Sequence, residues 1–186
     1  MSPKSSINFI IILLSLLSSC KSINSDDYYK DCVNNKTQKI LYDGHGIKKD
    51  IFSILKETEQ LLLDEKIIHD FKKESYLKLT VIAFHNNEES KKIATKIRTK
   101  INDNFFDLLS LTTLDFYSSC PEEVYNKEIS DAKKNILRKR YTIYSYLMAD
   151  GYKNEIRIAS LINQSEKFSE IERLVILHLI LMNISN

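Results

Sequence analysis

The sequence predicts an all-α fold, an irregular multi-helix bundle of about five to seven helices, and three observations lead there. Only three Gly and two Pro occur in 186 residues, too few for the tight turns of a β-sandwich or barrel. Apolar residues recur at three- and four-residue spacing between charged neighbours in one segment after another. Near the C-terminus, "LVILHLILM" (residues 174–182) is apolar at every position but one, the pattern of a helix buried on all sides. At nine residues it is too short to cross a bilayer.

Taken in order, Ser25 is positioned to cap a first helix through about Tyr42, and Asp43-Gly44-His45-Gly46 is expected to stop it, since glycine tolerates left-handed backbone. Ile47, Ile51, Ile54, Leu55, Thr58 and Leu62 form the inward stripe of a second, amphipathic helix. The segment containing "YLKLTVIAF" fits two patterns. Leu77, Leu79 and Val81 alternate like a strand, whereas Leu77, Val81 and Phe84 also line a helix; we read a helix, with an α+β fold carrying a strand at 76–84 as the alternative. Asn86 or Asn87 then caps a segment in which Ile93, Ile97, Ile101, Phe105, Leu108 and Thr112 keep one face apolar.

In the second half, Ser119-Cys120-Pro121-Glu122 reads as a helix start, with Ser119 and Glu122 at capping-box spacing and proline in the first turn. Tyr125, Ile129, Ala132, Ile136, Ile143 and Leu147 extend it to about Met148. A shorter helix around Ile156 to Ile162 follows. Ser165 or Ser169 starts the last helix, expected at the centre of the bundle. Ten Tyr and eight Phe supply bulky core material in the absence of Trp.

The N-terminus is organised differently. One cation, Lys4, precedes the apolar run Phe9–Leu17, which is interrupted only by Ser15, the layout of a signal peptide. Leu17-Ser18-Ser19-Cys20 resembles the lipobox of bacterial lipoproteins: an aliphatic residue, two small residues that let a peptidase bind the extended backbone closely, then the cysteine. The resemblance implies cleavage before Cys20 and acylation of its thiol and amine, and several acyl chains anchor stably where one would not. Residues 1–19 are then a signal peptide, 20–27 a lipidated tether, and 28–186 one globular domain. "SSCK…SDD" is also similar to lipoproteins of Bacteroidota, in which an acidic stretch near the lipidated cysteine accompanies export to the surface. Asp26 and Asp27 are equally explained as first-turn carboxylates of a helix. The expected location is the cell envelope, at the outer membrane, on its periplasmic or surface-exposed face.

Once Cys20 is assigned to lipid, Cys32 and Cys120 remain, and a pair in an oxidising compartment is expected to form a disulfide; a reactive thiol is the alternative. Cations and carboxylates nearly balance, 27 against 25, which argues against a nucleic-acid partner. The turn "YDGHG" and Cys120 in "LDFYSSC" together resemble, in residue types, the His and Cys dyad of caspase-like peptidases. The segment before His45 nevertheless reads as a polar helix rather than a buried strand, and proline and two glutamates follow Cys120. The preferred reading is an interhelical turn and a disulfide.

His69 and His85 lack a second ligand at helical spacing, and His178 stands alone in an apolar helix as a hydrogen-bonded core residue. No catalytic or metal-ligating residue is assigned and no cofactor is expected. Lys133, Lys134, Arg138, Lys139 and Arg140 form a basic helix face that could meet a partner. The format, a small stapled helical domain on a lipid anchor, is similar to that of periplasmic immunity proteins. That resemblance implies a protein-binding module with a toxin as partner. The alternatives are an envelope accessory or scaffold lipoprotein that binds envelope proteins, and a hydrolase of unfamiliar type.

Overall fold

A computed structural model describes residues 25–111, 119–120 and 153–184. Among them are seven helices and no strand: α1 Ser25–His45, α2 Ile51–Asp64, α3 Lys73–His85, α4 Asn87–Lys100, α5 Phe105–Leu111, α6 Glu155–Gln164 and α7 Glu170–Ile184. The fold is the all-α bundle expected.

α7 is the centre. It packs against α2, α3, α4, α5 and α6, and Leu174 to Leu181 are all buried. Burying each such aliphatic side chain contributes roughly 1.5–3 kcal/mol before conformational entropy is counted. Its start is the Ser169 alternative, set by reciprocal capping: the Glu172 amide donates to Ser169 Oγ at 3.4 Å, while Glu172 Oε2 accepts from the Ser169 amide at 2.8 Å. Two orphan amides are satisfied at once.

α1 begins at Ser25 and carries Asp26 and Asp27 in its first turn, so the helix starts inside the segment expected as tether, and the first-turn reading of the two aspartates holds. It buries Tyr29, Val33, Thr37 and Leu41, four residues apart and therefore on one stripe. Thr37 satisfies its hydroxyl by donating to the Val33 carbonyl at 3.0 Å. Tyr29 meets Phe52 of α2 edge-on, with ring centroids 6.5 Å apart. The helix runs past Tyr42 and through Gly44, and stops within the expected Asp43–Gly46 segment. It ends where Gly46 turns left-handed at φ +65°, and the Gly46 and Ile47 amides fold back onto the Tyr42 and Leu41 carbonyls.

α2 is capped by Asp50, whose side chain accepts from the Ser53 amide at 3.0 Å. Ile47, expected on its stripe, lies before the cap and packs against the core from the loop. α2 closes in a Schellman arrangement at Lys66, φ +59°: the Lys66 amide donates to Leu63 O and the Ile67 amide to Leu62 O.

Residues 76–84 lie inside α3. The buried set there is Ser75, Tyr76, Leu79, Thr80 and Ala83, a helical stripe rotated away from the expected one, which leaves Val81 exposed. The apolar face expected to run unbroken from Ile93 to Thr112 is divided. α4, capped by Asn86 through the Glu89 amide, stops at Lys100, and Asn102 Oδ1 accepts from the Asn104 amide at 2.8 Å. That local turn offers the backbone an alternative to helix, and α5 restarts at Phe105. Thr112 and the long helix expected at 125–148 lie outside the described residues.

Candidate functional site

Among the described residues buried ionisable chemistry is concentrated at two points, and both are closed. Glu59 of α2 and Arg173 of α7 pair with their side chains 3% and 14% exposed. Arg173 Nε donates to Oε1 at 3.0 Å and Nη2 to Oε2 at 3.2 Å, the bidentate fork that suits guanidinium to carboxylate. The Tyr76 hydroxyl donates to the same Oε1. Burial, and then the neighbouring Glu59 charge, push the Tyr76 phenol well above its ordinary value, so it stays a donor. The Phe71 ring lies under the guanidinium, 4.8 Å from centroid to Cζ. Phe168 caps the Tyr76 ring edge-on at 5.0 Å. It holds a left-handed φ of +46° while its amide donates to Ser165 Oγ at 2.9 Å. With every Glu59 oxygen engaged and the group enclosed, the cluster locks α2, α3 and α7 together and presents no open acid or base.

His178 is the second point. It is fully buried, and its Nε2 lies 3.1 Å from the Leu109 carbonyl. A carbonyl only accepts, so Nε2 carries the proton. This is the hydrogen-bonded core histidine expected. Burial holds its pKa down at about 4, against 6.5 unperturbed, so the ring is neutral at physiological pH. Because the folded value is depressed, protonation favours the unfolded chain. The stability is fully present above pH 6.5 and is lost as pH falls towards 4, about 3 kcal/mol in all. Urea midpoints measured from pH 7 to 4 are expected to fall more steeply over that window for the wild type than for His178→Gln, which keeps an amide donor for Leu109 and does not titrate, the depressed carboxylates contributing alike to both. Equal slopes in the two proteins would remove the assignment.

The remaining sequence candidates sort plainly. Cys32 of α1 and the buried Cys120 lie at disulfide distance, Sγ–Sγ 2.22 Å with Cα atoms 5.8 Å apart, and Lys36 Nζ donates to the adjacent Ser119 Oγ at 3.2 Å. Paired in this way Cys120 offers no thiolate, and His45 is an exposed residue in the last turn of α1. The dyad is not assembled. Cys20 and the Lys133, Lys134, Arg138, Lys139 and Arg140 face lie outside the described residues. Among the described residues no group of three or more His, Cys, Asp or Glu could hold a metal ion, and no helix is long and apolar enough to cross a membrane.

What the sequence reading missed is a surface. α3 and α6 run antiparallel in contact, tied at both ends: Lys73 Nζ donates to the Asn163 carbonyl at 3.0 Å, and His85 Nε2 meets Glu155 Oε2 at 2.5 Å. Val81 lies one turn before His85 and is 50% exposed, while Ile156, beside Glu155, is 78% exposed. Two solvent-facing β-branched side chains thus lie near one hydrogen-bonded His–Glu pair on a pair of contacting helices. Lys78, exposed between Lys73 and Val81, adds a cation. Such an arrangement, apolar anchors rimmed by charge, suits protein recognition. In sequence Val81 reads as core, because period alone does not say which of two adjacent stripes faces inward.

No family model matches the chain, and neither the curated proteins nor the solved structures contain a match to it.

Proposed function

We propose that this protein is a lipid-anchored, protein-binding module of the cell envelope, and that it acts as an immunity or inhibitor protein against a toxin. The observation that carries the binding role is the α3–α6 face, where Val81 and Ile156 are exposed beside the His85–Glu155 pair although the same two helices have a core to bury them in. The lipobox Leu17-Ser18-Ser19-Cys20 supports the anchor. The staple between Cys32 and Cys120 suits a domain that works in an oxidising compartment, and a bundle locked at Glu59–Arg173 presents its surface without rearrangement, which favours tight binding.

The test is protection. Cells expressing the full chain are challenged with any secreted toxin found encoded beside its gene and with toxins of competing bacteria, and survival is scored against chains carrying Val81→Glu or Ile156→Glu. Both positions are exposed, so the variants are expected to fold, and each should weaken partner binding by roughly tenfold or more. Survival of the wild type alone supports the reading. Survival equal in all three chains moves the interface elsewhere, and protection by none of them against any neighbouring toxin rejects the immunity role.

A further inference from the structure

We draw no further inference here: the strongest candidate, the exposed apolar patch of Val81 and Ile156 on the α3–α6 helix pair, belongs to the face already described, and nothing in the structure shows what covers it.

Discussion

Replacing Arg173 with methionine is expected to destabilise the protein by about 3–5 kcal/mol, because it leaves Glu59 charged in the interior without its partner. The size follows from the surroundings. Glu59 is 2% exposed and takes both guanidinium bonds from Arg173; a single remaining donor, the Tyr76 hydroxyl, does not replace a counter-charge. Removing the whole cluster should behave differently. In the triple variant Glu59→Leu, Tyr76→Phe, Arg173→Met no charge is left to desolvate, and buried ion pairs replaced by packed apolar residues of similar volume are often neutral or gain roughly 1–4 kcal/mol. Urea unfolding at neutral pH checks both. If the single variant loses less than about 1 kcal/mol, water reaches Glu59 and the enclosed geometry is wrong. If the triple variant falls as far as the single one, the cluster contributes attraction well beyond its desolvation cost.

The contrast between those variants bears on what the cluster is for. An apolar stripe specifies that α2, α3 and α7 meet, but many rotations of one helix on another bury similar area. A bidentate fork between Glu59 and Arg173 with a fixed phenol on one oxygen has few satisfactory arrangements. It therefore sets the rotation of α3 against α7, and through it which stripe of α3 faces solvent. The exposure of Val81, on which the proposed binding role rests, depends on that rotation.

The parts of the structure that were legible in the sequence are those decided locally. α7 declared itself because nine successive positions leave a helix no polar face, and its lone His178 had little choice but a backbone partner. Asn86 and Ser169 were readable as caps because their amide partners lie three residues away. Glu59 and Arg173 lie 114 residues apart, and no local pattern joins them; the available signal was a carboxylate placed between Leu55 and Leu62, on a stripe that should have been apolar. α3 was ambiguous for a related reason. Leu77, Leu79 and Val81 alternate, and tertiary packing chose Tyr76, Leu79 and Ala83 as the buried set because the Tyr76 hydroxyl had a partner waiting in Glu59. At the division of α4 from α5 the apolar period runs on across Asn102-Asp103-Asn104, whose residue types favour a turn, and the backbone follows the turn.

The disulfide should be the other large contributor. Cys32 and Cys120 are separated by 88 residues, and closing a loop of that length lowers the entropy of the unfolded chain enough to stabilise the native state by roughly 4 kcal/mol in the chain-entropy model. The double variant Cys32→Ser, Cys120→Ser is expected to lose most of that in urea unfolding and to behave like the wild type unfolded under reducing conditions. The location matters as much as the size. Among the described residues α1 has its helix contact with α2, so the bridge ties the N-terminal helix, the element nearest Cys20, to the middle of the chain. Without it α1 can detach while α7 and its neighbours stay packed. Hydrogen exchange in the double variant should therefore quicken first at Tyr29 to Leu41 and last at Leu174 to Leu181. Uniform acceleration across the chain would mean that α1 is held by packing alone. Wild-type stability that does not change on reduction would mean that the bridge does not form in solution.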